Sequence, residues 1–224
     1  MIHIYNKDCM EAMASMKDNE FDLAIVDPPY GIKASKTNGG VTNPFGGNGK
    51  PIAAKIYKEK QWDNEAPPQQ YFDELQRVSK KQIIWGANHF ISRIPIDSSC
   101  WIVWNKQNGD NYFADCELAW SSFKSAVRMI SFKWHGMLQG DMKNKEHRIH
   151  PTQKPVALYT WLLDKYAKKG WKILDTHLGS GSSAIAAHNM GYEFHGYELD
   201  EEYYLAAKER LENHQKQLKL PLEI

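Results

Sequence analysis

Two acceptors and an aromatic ring stand together at Asp27-Pro28-Pro29-Tyr30, directly after the β-prone run 21–26. A carboxylate and a proline carbonyl with no ladder role suit the two hydrogens of an exocyclic amine, and the tyrosine can stack on the ring that carries it. Such a grip draws the nitrogen lone pair out of conjugation and toward an electrophile. A proline-stiffened turn is the plainer reading of the same four residues.

A second constellation is Gly179-Ser180-Gly181-Ser182-Ser183-Ala184, which fits G-x-G-x-x-A between an expected strand at 171–174 and an expected helix at 182–190. Glycines there let the backbone approach a ligand closely, and Glu198, at the end of the next strand, is spaced to accept from ribose hydroxyls. Asp175, at the carboxyl end of its own strand, is a candidate acceptor for a cationic ligand group. A tight strand-to-helix turn would carry the same glycines. Hydride-transfer coenzymes and methyl donors both use this turn-plus-acid arrangement, so these residues alone leave the cofactor open.

These positions need a scaffold, and hydrophobic periodicity supplies one. Strands are expected at 2–5, 21–26, 82–85, 101–104, 117–120, 171–174 and 192–197, and helices at 8–16, 71–79, 155–168, 182–190 and 201–218. Proline at 155 suits a first helical position, Gly170 and Gly191 suit helix ends, and Asp200 suits an N-cap. Strands alternating with helices predict an α/β fold with a mostly parallel sheet and helices on both faces. Residues 31–62 hold two Gly-Gly pairs and no periodicity. A loop that long, placed after the Pro-Pro stop, predicts a lid.

Of the 224 residues 42% are hydrophobic and 25% charged, enough for a core without disulfide or metal staples. Mean hydropathy is -0.61, and no apolar run reaches a membrane span. Cys9, Cys100 and Cys116 form no C-x-x-C pair, so reduced thiols, no metal site and a cytoplasmic protein are expected. Net charge is only +1, yet its distribution is uneven. Residues 31–62 carry six lysines against one glutamate, and 121–154 carry seven lysines and arginines against two acids. The two stretches suit contacts to phosphates, though solvated basic loops would look alike.

In this combination the sequence resembles the amino-group DNA methyltransferases that use S-adenosylmethionine, in the order that places the catalytic motif before the cofactor motif. The resemblance rests on Asp27-Pro28-Pro29-Tyr30, His150-Pro151-Thr152-Gln153-Lys154-Pro155, the stretch 175–183 and Gly196-Tyr197-Glu198. Stretches 85–90, 101–106 and 117–120 look like later motifs of the catalytic half. It implies a Rossmann-like methyltransferase fold. The chain is then one domain over 1–224: a catalytic half at 1–120 with the mobile loop 31–62, a target-recognition segment at 121–149 and a cofactor half at 150–224.

The resemblance also implies roles. Asp27 and Pro28 hold the target amine, with Pro29 completing the motif, and Tyr30 stacks on the flipped base. Gly179, Ser180, Gly181, Ser182 and Glu198 bind the cofactor, with Asp175 beside them. Thr152 and Lys154 meet the methionine end, where a lysine would face a carboxylate; a solvated helix start is the bland alternative for Lys154. Asp8 meets the adenine amine, although its spacing to Glu11 equally fits a capping box. Where the family usually has proline and a bulky aromatic after the acid of the glycine motif, this chain has Thr176 and His177.

The reaction implied is direct methyl transfer to N6 of adenine in double-stranded DNA, with no covalent enzyme intermediate. The absence of any Pro-Cys pair agrees, because transfer to a ring carbon would call for an activated thiolate. Aspartate at the first motif position points to adenine in this family, and cytosine N4 is the nearest alternative. RNA or protein amide methylation, a nicotinamide-dependent dehydrogenase and a non-catalytic DNA-binding module are more distant ones. A homodimer and a paired restriction enzyme are both left open.

Overall fold

The computed structural model describes residues 1–33, 60, 62–94, 96–108, 114–135 and 138–217. Of the expected lid, residues 34–59 and 61 lie outside these.

Eight strands form one sheet: β1 (Ile2–Asn6), β2 (Leu23–Val26), β3 (Gln82–Trp85), β4 (Cys100–Asn105), β5 (Cys116–Ser121), β6 (Arg128–Ser131), β9 (Lys172–Asp175) and β10 (Glu193–Glu198). A small antiparallel pair, β7 (Trp134–His135) with β8 (Leu138–Gln139), stands apart. The sheet order is β1-β10-β9-β2-β3-β5-β4-β6. Pairing is parallel from β1 to β3, antiparallel on both sides of β5, and parallel again between β4 and β6. The sheet is therefore mostly parallel, as the alternation of elements predicts.

Among the described residues five α-helices cover it: α1 (Cys9–Met13), α2 (Gln69–Val78), α3 (Val156–Tyr166), α4 (Ser182–Met190) and α5 (Glu201–Lys216). Strand side chains alternate, and so do the cores. Leu23, Ile25, Ile83 and Trp85 pack with Leu158, Leu162, Ala184 and Leu211 from α3, α4 and α5. Ala24, Val26 and Ile84 pack on the opposite face with Met13, Tyr71, Phe72 and Leu75 from α1 and α2. All four residues of β2 and of β3 are buried, because both strands lie between two helical layers.

Boundaries differ from expectation where caps decide them. Asp8 accepts from the backbone N–H groups of Met10 and Glu11, so α1 begins at Cys9 and ends within two turns. Pro155 is the N-cap of α3 rather than its first residue. The stretch after Ser121, unreadable by periodicity, holds edge strand β6 and the β7–β8 pair. Among the described residues no helix is long and apolar enough to cross a membrane.

The carboxyl ends of β1, β10, β9 and β2 lie side by side and carry Asp8, Glu198, Asp175 and Asp27. Strand order reverses direction along the chain between β9 and β2, the place where open α/β sheets form a crevice.

Candidate active site

A cavity of about 570 Å³ opens at these strand ends, a size that suits a nucleoside-bearing ligand. Asp8, Asp27, Pro29, Thr152, Lys154, Gly179, Ser180 and Glu198 line it. Of the residues singled out from sequence, Pro28, Tyr30, Asp175, Gly181 and Ser182 are not in its wall.

On the side of β10, Glu198 is fixed by two backbone donors: Gly179 N–H to Oε2 at 2.8 Å and Asp200 N–H to Oε1 at 2.9 Å. The carboxylate keeps acceptor capacity for a ligand hydroxyl. Burial pushes its carboxyl up, against the backbone donors of Asp200, Gly179 and Leu199. Gly179 has φ +52°, and a Cβ built on it would meet nothing closer than 3.9 Å. The space a side chain would take is therefore open cavity, and the backbone itself forms the wall.

Asp175 turns away from that space. Its Oδ1 accepts from His177 N–H at 3.0 Å and its Oδ2 from the Ser183 hydroxyl at 2.6 Å, and the residue is 2% exposed. Burial pushes its carboxyl up to about 7, against those two bonds. The structure uses it to hold the glycine turn rather than to face a ligand. Gly181 caps α4 against Ala207, and Ser182 is buried beside Ser180. Arg210 secures the same turn, donating to Ser180 O at 2.8 Å and Ser182 Oγ at 2.9 Å while pairing with Glu146 at 2.7 Å.

On the side of β2, the Tyr30 hydroxyl donates to Asp27 Oδ1 at 2.7 Å, and Lys154 Nζ donates to Asp27 Oδ2 at 2.6 Å and to the Tyr30 oxygen at 3.2 Å. Lys154 is thus not a solvated helix start: its side chain is 4% exposed. Nor does its ammonium stand clear in the cavity for a cofactor carboxylate. Asp27 is pushed up by burial and held back by Lys154.

The ion pairing continues outward to Glu117, whose Oε2 lies 3.0 Å from Lys154 Nζ and whose Oε1 pairs with Lys106. Burial works against the Glu117 charge, yet the two lysines hold its carboxyl down to about 2. Sheet topology explains how it arrives there. Because β5 runs antiparallel to both neighbours, its amino end lies at the carboxyl ends of the others.

Around the Asp27 turn the backbone is held by Asp63, whose Oδ1 accepts from Tyr30 N–H at 2.7 Å and Gly31 N–H at 2.9 Å. The Tyr30 ring stacks on His89 at 4.9 Å and 16°. Among the described residues, no hydrogen bond is made to the Pro28 carbonyl. Of the two acceptors expected to grip an amine, Asp27 lines the cavity and is paired, while Pro28 carries no bond and lies behind the cavity wall.

His177 lines the cavity beside Gly179, with its Nδ1 2.9 Å from the Thr176 hydroxyl, which is 2.6 Å from the Tyr71 hydroxyl. Sequence reasoning noted His177 only as a departure, and it gave no role to Glu117, Asp63 or Arg210.

A family model described as DNA methylase matches residues 84–209, more than half of the chain. The chain belongs to the DNA methylase family. The family methylates exocyclic amines, adenine N6 or cytosine N4. The type II methyltransferase M2.DpnII of Streptococcus pneumoniae is 24% identical to this DNA methylase over 93% of its length and 89% of the relative. YubD of Escherichia coli (strain K12) is also 24% identical, over 91% and 87%.

Among solved structures, that of M1.HpyAVI with SAM aligns with a TM-score of 0.59 at 22% identity, covering 94% of this chain and 99% of that one. The cytosine-N4-specific PvuII DNA methyltransferase aligns at 0.56 and 11% identity, covering 94% and 90%. These neighbours give this DNA methylase a Rossmann-like methyltransferase fold.

Proposed function

We propose that this chain transfers the methyl group of S-adenosylmethionine to the N6 amine of an adenine flipped out of double-stranded DNA. The observation that carries the reading is the shared cavity, into which both the Asp27 turn and the Gly179–Glu198 cradle open. The cradle fits the cofactor. Glu198 keeps acceptor capacity for ribose hydroxyls, Gly179 offers open backbone, and Asp8 Oδ2 takes no bond among the described residues and can accept from an adenine amine. Thr152 and Ser180 complete the polar wall. When bound there, S-adenosylmethionine supplies an electrophilic methyl group.

The protein's part is to position and to stabilise. Asp27 and the Pro28 carbonyl accept the two amine hydrogens, which leaves the nitrogen lone pair directed into the cavity, and Asp27 stabilises the positive charge that grows on that nitrogen. Tyr30 offers its ring to the base. An aspartate rather than a neutral hydroxyl at this position favours adenine N6. The exposed Lys124, Arg128, Lys133, Lys143 and Lys145 supply cationic contacts for DNA phosphates and support target recognition by 121–149.

The test is to incubate the protein with S-adenosylmethionine and unmethylated plasmid, digest to nucleosides and identify the product by mass spectrometry. N6-methyladenine is expected, and Asp27→Ala should lower its rate by about 10²–10³-fold or more with cofactor affinity retained. N4-methylcytosine would overturn the base assignment and keep the grip. A loss of cofactor binding in Asp27→Ala would place that residue in the wrong subsite.

A further inference from the structure

Lys154 has three protons to give; it donates to Asp27 Oδ2 and the Tyr30 oxygen, and Glu117 Oε2 stands 3.0 Å from the same Nζ as an ion-pair partner. Its ammonium also lies 5.5 Å from the Trp85 ring centroid and 5.7 Å from that of Tyr30. The cation belongs to the Asp27 turn. There it presents a difficulty for methyl transfer to an amine. The nitrogen held by Asp27 becomes positive as the bond to carbon forms, and an ammonium 2.6 Å from the same carboxylate opposes that charge.

A second seat is already built. Glu117 Oε2 is buried and accepts no hydrogen bond, although Lys154 Nζ is 3.0 Å away. Lys106 occupies the other oxygen and keeps Glu117 ionised. A buried carboxylate oxygen with an empty lone pair is costly, and a small shift of Lys154 would fill it.

We propose that Asp27 and Glu117 share Lys154: with no target bound the ammonium sits on Asp27, and when the amine docks it moves to Glu117. Glu117 is thus a positioning residue for transfer, acting through Lys154. The inference rests on the function proposed above, since it assigns the amine to Asp27. No proton changes owner in the exchange, and Lys154 stays charged throughout.

The groups facing Asp27 from the packed elements are Tyr30, Lys154, Glu117, Asp175, Tyr71 and Tyr159. Of these Lys154 and the Tyr30 hydroxyl favour its charged form, and Glu117 opposes it. Removing Lys154 and removing Glu117 must therefore move Asp27 in opposite directions.

The experiment follows Asp27 by carbon-13 NMR of protein labelled at the aspartate carboxyls, with Asp27→Asn to assign the resonance. The Asp27 midpoint in Glu117→Gln should fall, and in Lys154→Met it should rise, each by about one pH unit or more. In single-turnover methylation, Glu117→Gln should slow the step while cofactor affinity stays unchanged, and Glu117→Asp should restore part of the rate. Midpoints that move together, or not at all, overturn the proposal. So does a loss of cofactor affinity of about tenfold or more in Lys154→Met, which would return that lysine to the cofactor carboxylate. If Lys154→Met fails to fold, the sign in Glu117→Gln alone decides. The NMR midpoints need no turnover, so a protein that methylates nothing would refute the proposed function and still report whether the lysine is shared.

Discussion

Gly86 and Tyr30 interlock: a methyl group on Gly86 would stand 2.0 Å from Tyr30 Cε1, and Gly86 itself has φ +69°. The residue after β3 must be glycine for the ring to lie where it does, beside Asp27 and stacked on His89.

Gly86→Ala is therefore expected to displace the Tyr30 ring and with it the hydroxyl on Asp27. The methylation rate should fall by about 10²-fold, while the cofactor cradle, built by other strands, keeps its affinity. Calorimetric titration of the cofactor beside single-turnover rates separates the two. A rate equal to wild type would mean that the ring position is irrelevant to transfer.

Arg210 ties the glycine turn to Glu146, a residue of the basic segment 121–149. Its loss would leave the half-buried Glu146 without its cation, at a cost of about 1 kcal/mol. Arg210→Ala should thus lower denaturation midpoints and weaken cofactor binding together. Undiminished affinity in a destabilised variant would show that the turn keeps its shape unaided.

Burial holds His177 down at about 4, against the pull of Asp8, so the folded protein favours its neutral form. A histidine with a depressed folded value contributes stability that is complete above its ordinary 6.5 and is lost as pH falls from there toward 4. The contribution is up to about 3 kcal/mol. His150, held down at about 3 chiefly by burial, acts in the same direction. Melting temperature should drop over this acid range, and His177→Phe should flatten the drop. Parallel curves for the two proteins would acquit His177.

Much of this was readable beforehand, for identifiable reasons. β2 and the Asp27 turn were visible because a fully buried strand is a short apolar run and two prolines must end it. The glycine turn was visible because its backbone conformation demands glycine. Asp175 shows where such reading stops: its position at a strand end was legible, but not that Ser183 and the His177 amide would claim both oxygens. Glu117 was legible as part of a strand and silent as a charge, since its partners Lys106 and Lys154 are chosen by sheet order. Asp63 lies beyond a long aperiodic stretch and reaches Tyr30 by tertiary contact alone. Residues 121–149 carry no period because β6, β7 and β8 are too short to display one.

The place of β1 in the sheet has a consequence for synthesis. Among the described residues its one neighbour is β10, with Ile2 opposite Phe194 and Asn6 opposite Glu198. β1 therefore leaves the ribosome well before the strand it pairs with. Asp8, at the end of β1, joins Glu198 in a common wall only when the two strands pair. A nascent chain makes the residues of the Asp27 turn well before those of the cradle, and pairing over so long a separation slows folding.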